Sequence, residues 1–426
     1  KEKKEGEIAA APEINEEKKE GGGYFEFMDR ELEKIIAMDL YGSSAMLPKG
    51  YFSIKYQFTH LNASKRFDGQ GNKVPAIPPI EFSDGAKKFL SVDLGLTGEG
   101  GSHLVQLSYG ITDPLDWYIE IPFQYMTVKM DPKLNAVDDD GNYIDPVLLA
   151  PLFKVKDPKS FTAADFLCLL PKTIGRPTPN TYYDADWVLG DIHTGFSWNY
   201  LRTKRFSAAL TPRIYFPTGR IANPDSSLFY FTGPQLDVGT GSWGISATQT
   251  YDFRVINPFN WLDVIYTMEF TTNYHFSHKR KYPKNFETPN PEAMKLLDPT
   301  GSYFPDLSHL EEKGTFTYTP GFSADVTAKL DISFGIAGIS AGYGYAFAQE
   351  PLINGDPSFI TMVKGLQLLG QMSIHSIEIG GLVSLLPLYV PANLSFSWTK
   401  VIAGTNALIY EDYIKFTIQG YIPFLL

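Results

Sequence analysis

Two histidines three residues apart, His275 and His278, stand where a strand ends, a spacing that lets two imidazoles reach one metal ion. Two ligands fall short of a zinc set, so a solvent-facing pair is the expectation and no metal is assigned. Asp138, Asp139 and Asp140, followed by Gly141 and Asn142, resemble the opening of a calcium loop, but no glutamate stands at the twelfth position of that motif. There is no Gly-x-Ser-x-Gly elbow, and neither His193 nor His275 has a serine partner in a recognisable spacing. The reading is therefore not an enzyme, with no cofactor. Cys168 is the single cysteine, which rules out an internal disulfide and a cysteine-based cluster.

The charges that remain fall on alternate positions of long, aromatic-rich stretches. Lys55, Glu120, Asp191, His193, Arg213, Asp252, Arg254, Asp263, Glu269, Asp325, Lys329 and Asp331 each lie between residues suited to lipid. A lysine or arginine on a lipid face near the membrane midplane costs about 2 to 4 kcal/mol, so the alternation assigns these side chains to an interior. Mixed signs at that density form paired ladders, and a subset would line a selective path. Basic clusters at Lys87-Lys88, Lys204-Arg205 and Lys279-Arg280-Lys281, and in 154–159, read as solvated loop charge within reach of lipid phosphates.

Positioning such residues requires strands. Ile414, Phe416, Ile418, Ile422, Phe424 and Leu426 alternate with Tyr413, Lys415, Thr417, Gln419 and Tyr421. An edge this apolar would recruit other strands unless it closed against the first strand of the chain. An oily outside and a polar inside is the arrangement by which a sheet spans a bilayer. No stretch approaches the roughly 20 apolar residues of a transmembrane helix. Aromatic residues at 14% and 37 glycines in 426 suit interfacial girdles and many turns. A net charge of −11 and a pI near 5.2 exclude a nucleic-acid partner.

Three regions are expected. Residues 1–23 form a charged, disordered tether. Residues 24–49 contain an amphipathic helix at 25–40, with Phe25, Met28, Leu32, Ile35 and Ile36 at helical spacing, acting as a periplasmic rim element or a plug. Residues 50–426 form an all-β transmembrane barrel of twelve antiparallel strands, fourteen being the alternative. Short connections alternate with long ones, which puts both chain ends on the periplasmic side. That parity makes 89–112 one kinked strand. In the long connection 131–183, Phe166, Leu167, Leu169 and Leu170 fold back as a constriction or lid. The small face Gly338, Ser340, Gly342, Gly344 and Ala346 predicts a bulky element against that wall. A bulge is expected near residue 376.

Three motifs carry a resemblance. They are Leu107-Ser108-Tyr109-Gly110-Ile111-Thr112-Asp113; Gly190-Asp191 with Phe216-Pro217-Thr218-Gly219; and Val238-Gly239-Thr240-Gly241-Ser242. The chain resembles the phenol meta-pathway (MetA) family of outer-membrane transporters over about residues 50–276, more weakly beyond. The resemblance implies passive diffusion of small aromatic or hydrophobic solutes across a bacterial outer membrane. The partners expected are the lipid bilayer, lipopolysaccharide, a small-molecule solute and a periplasmic protein at the N-terminus. The other reading is a plugged barrel serving secretion or a surface or periplasmic assembly through its N-terminal segment.

Overall fold

The computed structural model describes residues 42–76, 79–84, 87–137, 143–144, 162–176, 178, 181–221, 223–226, 238–259, 262–292, 294, 305–365, 370–388 and 390–423. Twelve long strands form a closed ring. They are β1 (Tyr51–Phe67), β2 (Thr97–Thr112), β3 (Leu115–Lys129), β4 (His193–Arg202), β5 (Phe206–Tyr215) and β6 (Gly244–Phe259), followed by β7 (Leu262–His275), β8 (Gly321–Phe334), β9 (Ala337–Ala348), β10 (Met372–Ser384), β11 (Ala392–Thr405) and β12 (Leu408–Pro423). Each pairs antiparallel with the next. β12 returns to β1 from Tyr51↔Pro423 to Arg66↔Leu408, so the C-terminal strand closes the ring and no barrel edge is left open.

The alternation of side chains explains why this closed sheet is a transmembrane barrel. Ile54, Phe123, Ile214, Ile245, Phe270, Ile339, Ile379, Phe396 and Ile422 are exposed on the outer face, a continuous apolar surface far too large for water. Three histidines also face outward, each against a tyrosine hydroxyl: His60 with Tyr125 at 2.9 Å, His375 with Tyr343 at 2.5 Å, and His103 with Tyr56. Pairing satisfies the imidazole within an aromatic belt.

Residues 113–114, 203–205, 335–336 and 385–391 are short connections at one end of the barrel, here the turn end. Most connections at the opposite, loop end are long and carry structure of their own. Lys87–Asp93 is where sequence and structure part. It does not continue into β2 as one kinked strand; it turns at Gly95 and joins Ile80–Asp84, Lys133–Val137 and Tyr143–Ile144 in a separate four-stranded sheet. The apolar alternation of Leu90, Val92, Leu94 and Leu96 leads straight up to β2, so nothing in the pattern but Gly95 marks the turn. The parity argument still holds, because β2 alone supplies the barrel strand. The stretch between the long connection and the next turn is a strand in two pieces: Tyr182–Leu189 pairs with the loop-end half of β3, and β4 pairs with the turn-end half.

A second loop-end unit combines His278–Lys281, Thr315–Thr319 and Leu352–Asn354 with the helices α2 (Leu310–Lys313) and α3 (Pro357–Gly365). Tyr282, Leu307, Leu310, Phe316, Tyr318, Phe359, Met362 and Val363 are its buried core. The bulge near 376 is real, but the extra residue is on β11: His375 pairs with Ala403 and Ser376 with Val401, which leaves Ile402 unopposed. Ile374 points inward with Val401, Phe67, Ile409 and Tyr410.

Candidate functional site: the lumen and its inner segment

The inward faces enclose a cavity of about 840 Å³. Hydroxyls dominate its lining, among them Ser197, Thr211, Thr250, Thr327, Ser397 and Thr417, interspersed with Lys55, Glu120, Arg213, Glu269, Lys329, Asp331, Glu378 and Lys415. The charges of both signs sit close together. His193 pairs with Glu120, Lys329 with Asp331 at 2.9 Å, and Lys415 with Glu378 at 3.5 Å. Lys55 has Glu120, Lys415, Glu269 and Arg213 as electrostatic neighbours. Arg254 and Asp263 pair at 3.0 Å nearer the turn end. Asp325 receives the Asn273 amide at 3.4 Å.

The bare wall of β9 is present as read. The atoms nearest a Cβ added at Gly342 belong to Ala328 and Lys329 of the adjacent β8, none closer than 3.4 Å. Among the described residues no bulky element covers Gly342, so that expectation is not met there. The helix expected at 25–40, with Phe25, Met28, Leu32, Ile35 and Ile36, lies outside the described residues.

What does enter the barrel is the stretch just after it. A short turn, Gly42–Ser44, and the residues up to 48 run along the inner wall at the turn end. The Ser44 N–H donates to Asp252 Oδ2 at 2.7 Å, while the Ser44 hydroxyl and that of Ser207 are 2.7 Å apart. Asn199 donates to the Ser44 carbonyl at 2.9 Å. Three residues on, the Leu47 N–H reaches both oxygens of Asp116, at 3.0 and 2.8 Å. Lys49 N–H then donates to Asp113 at 3.2 Å, and Gly50 N–H to the Gly110 carbonyl at 2.8 Å. Met46, Leu47 and Pro48 are buried.

This placement accounts for the first motif. Gly110 lies against the segment so closely that a Cβ there would sit 2.1 Å from the Pro48 carbonyl oxygen. Gly110 and Asp113 thus form a cradle for residues 47–50. Sequence reasoning placed Asp252 in the lumen but passed over Asp116, whose signal was present: it shares the inward face of β3 with Glu120.

The other two motifs meet at Asp191. Its carboxylate accepts the Gly219 N–H at 2.8 Å, and the Thr240 N–H and hydroxyl at 2.6 and 2.7 Å. Gly219 and Gly239 pack so tightly that a Cβ on either would lie 2.5 Å from the other's Cα. Thr218 ties in from the other side, donating to the Gly190 carbonyl and accepting the Ile192 N–H, each at 2.8 Å. Asp191 therefore joins both limbs of the β5–β6 connection to the break between Leu189 and His193.

The leucines of the long connection form α1 (Ala163–Ile174). Thr162 and Asp165 make a reciprocal capping box, and Gly175 ends the helix at φ 66°. Leu167 and Leu170 are buried and Leu169 is half-buried; the side chain of Phe166 lies outside the described residues. The helix end docks on a neighbouring loop, with the Glu287 N–H donating to Gly175 and Asn290 N–H to Thr173. His275 lies tilted against Tyr215, with ring centroids 5.3 Å apart, and His278 meets the edge of Tyr318; among the described residues they gather no third metal ligand.

No family model and no curated protein matches the chain. Among solved structures, the COG4313 outer-membrane channel of Pseudomonas putida F1 is similar at 12% identity and a TM-score of 0.49, over 89% of this chain and 98% of that one. The Ralstonia pickettii toluene transporter TbuX gives 7% and 0.30 over 89% and 90%. The translocator domain of the autotransporter NalP from Neisseria meningitidis gives 7% and 0.35 over 93% and 94%. Likeness of this order joins transporters and a secretion domain alike, so the functional reading rests on the geometry above.

Proposed function

We propose that the protein is a bacterial outer-membrane channel for passive diffusion of small solutes, with both chain ends toward the periplasm and the long loops outside, against lipopolysaccharide. The observation that carries the reading is the segregation itself: an apolar outer face closed around a cavity lined by hydroxyls and opposed charges. Lys55, Glu120, Arg213, Glu269, Lys329 and Asp331 would set which solutes pass. The resemblance of its motifs extends the reading to small aromatic and other hydrophobic solutes. Residues 43–48, fixed inside the turn-end mouth, favour a second reading, a plugged barrel whose N-terminal residues engage a periplasmic protein.

Single-channel conductance in a planar bilayer tests both, comparing the full chain with one lacking residues 1–49. Current that appears or grows on deletion supports a channel narrowed by its own N-terminal stretch. Equal current in both removes any gating role for that stretch. Absence of current from either chain, with the barrel folded, sinks the diffusion reading.

A further inference from the structure

We propose that Asp116 and Asp252 are the two latches that hold the channel in its narrowed state, by gripping the main chain of residues 44–47; the inference rests on the channel reading above. Both carboxylates are buried, at 7% and 3% exposure, on the inward faces of β3 and β6. Neither is spent on a cation in the contacts that define it. Asp116 gives both oxygens to one N–H, that of Leu47. Asp252 gives one oxygen to the Ser44 N–H and the other to the Thr267 hydroxyl, at 2.6 Å. The nearby Arg254 pairs with Asp263, and Glu120 of β3 with His193.

A buried carboxylate that has lost its water needs donors, and here backbone N–H groups of the inner segment supply them. The grip is therefore chiefly on main-chain donors of the segment, joined at Asp252 by the Ser44 hydroxyl, and it depends on the acid being a charged acceptor. A carboxamide has only one acceptor oxygen and places an NH2 group where the other stood. At Asp252 the amide would face one of two donors with a donor, and at Asp116 its oxygen would take the Leu47 N–H without the charge, so both contacts weaken without a change of volume. Gly110 supplies a separate handle, because a methyl group there collides with the Pro48 carbonyl and touches no charge.

The test compares single-channel open probability for the full chain, Asp116→Asn, Asp252→Asn, Gly110→Ala, and the chain lacking 1–49. Heat-modifiable migration on gels confirms a folded barrel for each. The expected result is an open probability raised about tenfold by either asparagine substitution, the loss of one hydrogen bond to a charged group, and raised also by Gly110→Ala. A tether provides the reverse check: Ser44→Cys with Ser207→Cys, in a Cys168→Ser background, joins atoms that are hydroxyl neighbours at 2.7 Å. Oxidation should hold the current low even with Asp116→Asn present, and reduction should restore it. If deletion opens the channel while all three point variants stay as closed as the full chain, the latch assignment fails and the channel reading survives. If no chain conducts, both fail together.

Discussion

At the scale of single residues, the informative positions are acids whose partners are main-chain groups. Asp191 accepts three hydrogen bonds from the two limbs of the connection 216–243, and hydrogen bonds to charged groups contribute roughly 1.5 to 3 kcal/mol each. Asp191→Ala should leave a folded, heat-resistant barrel but free residues 216–243, so limited proteolysis there should accelerate about tenfold or more; an unchanged cleavage rate would remove Asp191 from that role. The alternation of Lys55, Glu120, Asp252 and Glu269 with apolar neighbours revealed that they face inward. It did not reveal that Asp252 would be occupied by Ser44 or Asp191 by Gly219 and Thr240, because those partners are distant in sequence and strand period carries no information about what a loop brings back.

At the scale of elements, the loop-end unit built on α3 offers a pH readout. Burial pushes the Asp356 carboxyl up, but hydrogen bonds from Lys313 and His309 and from the Phe359 and Ser358 N–H groups outweigh this and hold it well below the usual carboxylate range. A depressed folded value means that the stabilisation is fully present above the ordinary carboxylate range and is lost as pH falls through the depressed value. Amide exchange across Leu352–Asn354 and α3 should therefore quicken only in strong acid. Asp356→Ala, which removes an N-terminal cap, should quicken it at neutral pH by about 1 kcal/mol and flatten the acid response. Lys313 is half exposed, so its pair adds little beyond the cap. The barrel strands were legible because period two persists over ten or more residues. The four-stranded sheet around Lys87–Asp93 was not, because its strands are short and their alternation merges with that of β2. The leucines of α1 stood out as too apolar for a solvated connection, and the capping pair Thr162 and Asp165 explains why they form a helix.

At the scale of the whole molecule, closure is the property on which the rest depends. β12 has partners on both sides, β1 and β11. Removing residues 406–426 exposes two long edges, and the expected outcome is aggregation and loss of the heat-resistant band rather than a smaller barrel. The lumen is also lopsided. Residues 43–48 follow the side built from β6, β5, β4, β3, β2 and β1, while the small residues of β9 lie across from β3 in the ring. Free space is therefore greatest along β9. Gly342→Phe in the full-length chain should lower unit conductance without altering folding; unchanged conductance would place the path elsewhere.

The way residues 44–50 are fastened also determines how they respond to force. A pull applied at residue 42 from the turn end loads the attachments in series: Ser44 on Asp252 and Asn199, then Leu47 on Asp116, then Lys49 and Gly50 on Asp113 and Gly110. Each gives way alone, as a zipper does, at the low force one or two hydrogen bonds sustain. The pull then reaches β1, whose bonds to β2 and β12 lie across the direction of tension and share it along their length. The molecule thus has a mechanical fuse ahead of its wall: traction from the turn end can strip the inner segment from the lumen and stop there, with the barrel intact.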